Sequence, residues 1–455
     1  MRYDALIIGT GQAGFPLAAA LSKRGETVAI CDGGFIGGTC VNVGCSPTKT
    51  LVASARVAHM ARRAADFGVT VGEVSIDFAR VMKRQKDIVK KFNRGVKDQL
   101  TQDEKITLYR KNATFIDAHT VKVGKEILEA NRIYINTGAR ATLPDIAGLK
   151  DVPYLTNVSI LDLKDLPKHL IVLGGGYIGL EFAQIFRRLG SKVTVIHRGA
   201  QILDREDADM AQIAHDVLIG EGIRIVTSAT TERVEGKKQS VRVHIKTSKG
   251  TEVIQGSHLL VATGRTPNSD ALALDKAGVQ VDQRGSITVD DELRTNVPHI
   301  WALGDVNGRG AFTHTSYNDY EIVEANLDTP TRKVTDRHMV YAVYVDPPLA
   351  RVGMNEKEAR DSGRKVLMAT KPMKNIARAQ ERDETAGLIK ILVDAETEQF
   401  LGAVVFGIGG DEVIHSIIDL MYARAPYTVM KNAVHIHPTV SELLPTTLAD
   451  LKPLE

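Results

Sequence analysis

Cys40 and Cys45 stand with four residues between them in the segment Gly37-Gly38-Thr39-Cys40-Val41-Asn42-Val43-Gly44-Cys45-Ser46-Pro47-Thr48-Lys49. On a helical turn that spacing brings both thiols to one face, within reach of a disulfide. A helix N-terminus and the Lys49 ammonium nearby would lower a thiol pKa and favour the thiolate, the reactive form. Structural zinc is a competing chemistry, but it needs four ligands, and the sequence has no CxxC and no second cysteine pair. Two buried inert thiols are the other alternative. The chain holds only three cysteines, too few for a secreted disulfide framework, which points to a reducing, cytoplasmic setting. The third, Cys31, ends an apolar run and reads as a core residue.

Two glycine turns could bring electrons to such a pair. Residues 3–8 form an apolar run that ends at Gly9-Thr10-Gly11-Gln12-Ala13-Gly14, followed by an Ala/Leu-rich helical stretch and a second strand at 27–30. The pattern returns at 170–173, with Gly174-Gly175-Gly176-Tyr177-Ile178-Gly179, a helix and a strand at 192–196. Asp32 follows Gly9 by 23 residues, and His197 follows Gly174 by the same 23. Glycines at these places let the backbone approach a pyrophosphate, and the helix N-terminus behind stabilises its charge. Asp32 can accept hydrogen bonds from a ribose 2′-OH, so the first unit should hold FAD or NAD. His197 and Arg198 offer positive charge instead, which suits a 2′-phosphate, so the second should prefer NADPH over NADH. A solvated strand end is the plain alternative for His197 and Arg198, and Arg205 is a further candidate contact.

The rest of the sequence must carry these units. With 455 residues, 43% hydrophobic, the chain is long enough for two to four domains with sizeable cores. Its net charge of +3 is too even for an electrostatic nucleic-acid binder, and no apolar run is long enough to span a bilayer. The cationic residues of 79–103, among them Lys83, Lys90, Lys91 and Arg94, read as the solvated face of a helix whose apolar stripe includes Val81, Ile88, Val96 and Leu100. Lys237-Lys238 and 282–285 read as hairpin turns. From about residue 338, strand-like runs (MVYAVYV, LIKILV, FLGAVVF) precede a helix at 411–424. The fold class is therefore α/β, with two Rossmann-like dinucleotide-binding domains and an α+β C-terminal domain. His435 and His437 could form a metal pair, but no further ligand cluster accompanies them. No metal site is expected.

These residues resemble the FAD-dependent pyridine nucleotide–disulfide oxidoreductases, the group of glutathione reductase, dihydrolipoyl dehydrogenase and mercuric reductase. The resemblance rests on the Cys40–Cys45 segment, Ile135-Asn136-Thr137-Gly138, Ala262-Thr263-Gly264-Arg265, Ile300-Trp301-Ala302-Leu303-Gly304-Asp305 and His437-Pro438-Thr439-Val440-Ser441-Glu442. It implies an FAD-binding domain in two parts (1–145 and 267–337) around an NAD(P)H-binding domain (146–266), with a dimerisation domain at 338–455. FAD would be held by Gly9, Gly11, Gly14, Asp32, Thr39, Lys49, Thr137, Gly138, Thr313 and Asp305, the last through its ribitol. NADPH would be held by Gly174, Gly176, Gly179, His197, Arg198, Gly264 and Arg265. Lys49, paired with Glu181, would sit beside the flavin, and Tyr177 would be a lid that the nicotinamide displaces. Cys45 would lie near the flavin and Cys40 would attack the substrate. His437, oriented by Glu442, would be the acid/base given across a homodimer interface. An imidazole near neutral pH, its tautomer set by a carboxylate, suits that task.

Departures narrow the resemblance. The chain ends Asp450-Leu451-Lys452-Pro453-Leu454-Glu455, without the extra C-terminal cysteine pair of mercuric reductases or the redox pair of large thioredoxin reductases. His197-Arg198 departs from the acid usual in dihydrolipoyl dehydrogenases. Phe312-Thr313-His314 and 344–353 look most like the mercuric-reductase-like branch that includes reactive-chlorine-resistance flavoproteins. The expected activity is passage of electrons from NADPH through FAD and the Cys40–Cys45 disulfide to a small disulfide, a metal ion (mercury or copper) or another oxidant. An NAD-linked dihydrolipoyl dehydrogenase and a flavin redox sensor without turnover are the alternatives.

Overall fold

The computed structural model describes residues 1–454. The first glycine turn follows the strand Arg2–Ile8, whose last four residues are buried, and opens the helix Gly14–Lys23. Arg2–Ile8 pairs in parallel with Val28–Cys31, which pairs in parallel with Ile106–Tyr109. On its other side lies the long strand Glu126–Ile135. The first half of that strand forms an antiparallel meander with Thr120–Val123 and Ala113–Phe115. Its last residues pair in parallel with Ile300–Ala302. A strand from far along the chain thus completes the first sheet and carries Asp305 to its C-terminal edge.

The second unit has the same plan. His169–Leu173 is central, flanked by Lys192–Ile196 and His258–Val261, with Arg224–Val226 outside, all parallel. An antiparallel sheet of Thr230–Lys237, Ser240–Thr247 and Gly250–Gly256 covers one face, its first hairpin turning at Lys238-Gln239. A two-stranded ribbon, Ala139–Ala141 with Arg265–Pro267, links the crossings between the two units. Beyond residue 338 an antiparallel sheet of six strands runs in the order Val340–Val343, Leu349–Gly353, Phe400–Phe406, Leu388–Asp394, Val366–Pro372, Lys452–Pro453.

The cationic helix spans Phe78–Thr101, its N-terminus capped by the Asp77 carboxylate accepting from the Arg80 amide at 2.9 Å. The helix expected at 411–424 is interrupted: Gly410–Val413 and His415–Tyr422 are separate, and the Ser416 hydroxyl takes the Val413 carbonyl at the break. Arg424 leaves in the left-handed region, at φ 52°. Cys31 is 1% exposed in the first core.

Candidate active site

The two glycine turns share one geometry. At Gly9 (φ +108°) a Cβ would lie 2.2 Å from the Asn136 carbonyl oxygen, and at Gly174 (φ +112°) 2.2 Å from that of Ala262. At Gly14 it would lie 2.1 Å from the Gly9 oxygen, and at Gly179 2.2 Å from the Gly174 oxygen. In both units the first glycine lets the turn pass under the crossing strand, and the third packs the helix on the turn. Nothing lies within 4 Å of a Cβ at Gly176 or at Gly138. Open space of this kind is what a dinucleotide requires of the chain.

A cleft of about 1220 Å³ runs from the first turn to the cysteines and is lined by Gly9, Gly11, Asp32, Thr39, Thr137 and Asp305, among others. Asp32 already serves the chain. Its Oδ2 accepts from the Thr10 amide (2.9 Å) and hydroxyl (2.6 Å), and its Oδ1 from the Gly34 amide (2.8 Å). One acceptor position on Oδ1 is left for a ligand hydroxyl. Thr137 donates its hydroxyl to the Asn268 carbonyl at 2.8 Å. Burial pushes the Asp305 carboxyl up, against the Arg265 guanidinium 3.1 Å away. Arg265 therefore stands between the clefts, lining both, with its charge engaged by Asp305 and its buried Nε without a partner. This cradle, with an unmatched donor on its wall, fits FAD.

The cysteines lie at the far end of the cleft, both as free thiols. They do not share one helical turn. Cys40 belongs to the helix Gly38–Val43 and Cys45 begins the helix Cys45–Arg62, with a kink at Gly44 (φ −132°, ψ −116°) between them. A Cβ at Gly44 would press to 2.9 Å from the Thr39 oxygen, so the kink requires glycine. It places Cys45 at a helix N-terminus. Thr313 begins a second helix, Thr313–Ala325, and its Oγ1 lies 3.1 Å from the Cys45 sulfur. Two positive helix ends thus converge on one thiol. The Cys45 pKa falls from 9.0 to about 6, chiefly through the hydrogen bond from Cys40, with Thr313 and the Lys49 charge adding to it against burial. Cys40 is driven the opposite way, because it donates to Cys45 and is partly withdrawn from solvent.

Lys49, one turn beyond Cys45, bonds Glu181 Oε2 at 2.6 Å and lies 4.6 Å from the centre of the Tyr344 ring. Glu181 is 3% exposed and its Oε1 also accepts from the Tyr344 amide at 2.9 Å. Tyr177, the first residue of the helix Tyr177–Leu189, lines both clefts and lies 5.8 Å from Phe312 between ring centres. Burial pushes its hydroxyl pKa up.

Gly174, Gly176, His197, Arg198, Arg205 and Gly264 line the second cleft. Arg198 and Arg205 are exposed there. His197 is committed within the loop. Its Nδ1 accepts from the Gly175 amide at 3.1 Å, and its Nε2 faces Asp204 Oδ1 at 2.9 Å. With both ring nitrogens engaged inside the loop, His197 is held away from a ligand, and the exposed cations on this wall are the two arginines.

His437 does not line either cleft. Its Nδ1 lies 2.8 Å from Glu442 Oε2, its side chain is 75% exposed, and the neighbouring Ile436 and Val434 are 81% and 100% exposed. His435 is half-buried, its Nδ1 3.4 Å from the Ala433 oxygen. Asp207, Asp209 and Glu356 form a cluster of metal-ligand type. The Lys390 ammonium occupies it, 2.8 Å from Asp209 and 3.4 Å from Asp207, and also contacts Glu356. Lys390 and Arg351 escaped the sequence reading, although a lone cation inside each apolar strand (LIKILVD, LARVG) was a usable signal. The stack of Tyr341 on Phe312, 5.5 Å apart and 2° from parallel, had no signal in the sequence.

Fold and site define a flavoprotein disulfide reductase. The sequence model of the pyridine nucleotide-disulphide oxidoreductases matches residues 3–319, and that of the dimerisation domain of the same family matches 339–448. The chain belongs to this family, with Cys40–Cys45 as its redox pair. Among curated relatives it is similar to the probable pyridine nucleotide-disulfide oxidoreductase RclA of Escherichia coli (strain K12), with 36% identity covering 97% of this chain and 98% of that one. It is also similar to a mercuric reductase of Lysinibacillus sphaericus, with 34% identity covering 96% and 82%. The solved Cu(II) complex of the HOCl-induced flavoprotein disulfide reductase RclA from Escherichia coli superposes with a TM-score of 0.90 at 35% identity, over 99% of each chain. Among the described residues no helix is long and apolar enough to cross a membrane.

Proposed function

We propose that the protein is a cytoplasmic homodimer that takes electrons from NADPH in preference to NADH and delivers them through Cys40 and Cys45 to a metal ion or a small disulfide. The observation that carries this reading is the placement of the thiols at the end of the cleft: Cys45 begins a helix with Thr313 Oγ1 at 3.1 Å and is lowered, while Cys40 donates to it and is raised. FAD, when bound, supplies the two-electron exchange between nicotinamide and disulfide. The chain's own residues do the rest. Tyr177 separates the clefts until a nicotinamide displaces it. Lys49, held by Glu181, and the two helix ends keep Cys45 as thiolate after reduction. Cys40, whose proton is held tightly, needs a base before it can attack. No histidine among the described residues lines the cleft except His314 and His415, and the His314 Nε2 is taken up by the Val340 carbonyl at 2.7 Å.

His437, with its tautomer set by Glu442 on an exposed segment, suits that task on a partner subunit. The reduced pair closes to a disulfide as two electrons leave to the oxidant. Those electrons reduce a disulfide to two thiols, two copper(II) ions to copper(I), or one mercury(II) ion to the metal. The similarity to RclA, solved with Cu(II), and to mercuric reductase favours metal ions. Arg198 and Arg205, with no acid at the end of the second strand, favour NADPH. Initial rates with NADPH and NADH against copper(II), mercury(II), oxidised glutathione and lipoamide test the reading. A higher kcat/KM with NADPH and fastest turnover with a metal ion are expected. NADH preference would overturn the donor, and fastest turnover with lipoamide would favour the dihydrolipoyl dehydrogenase alternative.

A further inference from the structure

The loop that carries Arg198 and Arg205 is fastened at two points. On one side Leu203, buried and in the left-handed region at φ 51°, donates its amide to the Gly175 carbonyl at 2.9 Å. A β-unbranched apolar residue held at positive φ is strained, and such strain persists where the surroundings enforce it. On the other side Glu206, 3% exposed, is gripped by the C-terminal sheet. Its Oε2 accepts from Arg351 Nε at 2.9 Å and Nη2 at 2.7 Å, and its Oε1 accepts from the Tyr341 hydroxyl. Tyr341 and Arg351 are directly paired on adjacent strands, Val340–Val343 and Leu349–Gly353. Arg351 also holds Asp207 at 3.0 Å, and Arg351 is itself only 2% exposed. Arg205 lies between the two fastenings and faces the nucleotide cleft.

Two Arg351 nitrogens on one oxygen and the Tyr341 hydroxyl on the other fix the Glu206 carboxylate in direction as well as distance. Its burial is hard to explain by stability alone, since buried ion pairs are weak contributors compared with apolar packing. We propose that Glu206 is a positioning residue for nucleotide selectivity: held by Arg351 and Tyr341 of the C-terminal sheet, it sets Arg205 against the cleft where a nucleotide 2′-phosphate would lie. The inference rests on the reading of Arg198 and Arg205 as 2′-phosphate contacts. Glu206 lines the same cleft, but its carboxylate is taken up by Arg351 and Tyr341. Its action is through the loop, and the anchor lies in a different sheet from the site it serves.

Two variants of the FAD-loaded enzyme test it. Glu206→Asp keeps the buried charge that Arg351 requires but draws the loop back by one methylene. Glu206→Leu combined with Arg351→Leu removes both buried charges together, and Asp207 keeps Lys390 as its partner. The readout is equilibrium binding, by calorimetry, of adenosine 2′,5′-bisphosphate against adenosine 5′-monophosphate, which differ only in the 2′-phosphate. Either variant should lose about tenfold of the wild-type preference for the bisphosphate, the order of one weakened charge-assisted hydrogen bond. FAD content and the affinity for the monophosphate should hold, and the KM for NADPH should rise while kcat does not fall. Retention of the preference in whichever variant folds overturns the inference and leaves the NADPH reading standing. A wild type with no preference for the bisphosphate overturns that reading first and the inference with it.

Discussion

The pKa of Cys45 is the most exposed consequence of the site's geometry. A thiol that titrates at about 6 is roughly nine-tenths thiolate at pH 7, against roughly one part in a hundred for one at 9.0. That 90-fold gain does not appear whole in a rate. Nucleophilicity falls with basicity at a slope of about 0.4–0.5, so a drop of three units slows each thiolate roughly 20-fold and leaves a net gain of about fourfold. The pH midpoint is therefore the informative quantity. Alkylation of the dithiothreitol-reduced holoenzyme by iodoacetamide, followed peptide by peptide in a mass spectrometer, should give a midpoint for Cys45 near 6. Cys40 should stay slow throughout the neutral range. In Lys49→Met the midpoint should move up by about 1 unit or more, the size of a nearby opposite charge. Two effects add there, because the ammonium is gone and the Glu181 carboxylate, 3% exposed, keeps its repulsion. A wild-type midpoint above 8, or an unmoved midpoint in Lys49→Met, would refute the electrostatic account of the pair.

Other perturbations act elsewhere. His437→Ala should lower turnover by about 100-fold, within the range of a lost acid/base, while NADPH still reduces the cysteine pair. A mixed dimer of His437→Ala and Cys40→Ser chains should regain activity at one of its two sites, which rates on co-purified mixed dimers would show. Arg188→Leu removes a cation 5% exposed that holds Glu221 at 2.7 Å and also pairs with Asp346. The fold should lose about 3 kcal/mol, the lower end for a broken buried pair because Arg56 still holds Asp346, read as a lower urea midpoint with FAD retained. Asp394 is lowered from 3.8 to about 2 by the amides of Thr397 and Glu396. Its contribution is whole above 3.8 and is lost as pH falls through 2, so Asp394→Asn should destabilise at pH 7 and match the wild type towards pH 2 in urea unfolding.

Periodicity and glycine spacing carried most of the fold. The equal offsets from Gly9 to Asp32 and from Gly174 to His197 rest on a real repeat, since both turns press against a crossing strand at the same 2.2 Å. What spacing could not show is where a chain bends between two helical segments. Cys40 and Cys45 fit one turn by count, yet Gly44 splits them, and that split is what puts Cys45 at a helix end. Residue type alone does not show what else His197 and Arg265 hold: both line the second cleft, where His197 also accepts from Gly175 and Arg265 pairs with Asp305. Such commitments depend on partners 22 and 40 residues distant, and no local pattern encodes them. Glu206, Arg351 and Tyr341 meet only because a loop of the second unit packs on the C-terminal sheet, so their association is tertiary from the start.

The central claim is that reducing equivalents from the nicotinamide reach the Cys40–Cys45 pair. Thiols counted under denaturing, anaerobic conditions before and after one equivalent of NADPH test it directly. Each wild-type chain should gain two titratable thiols, mapped to Cys40 and Cys45, and Cys45→Ser should gain none. NADPH oxidation with no new thiols in the wild type would contradict the account.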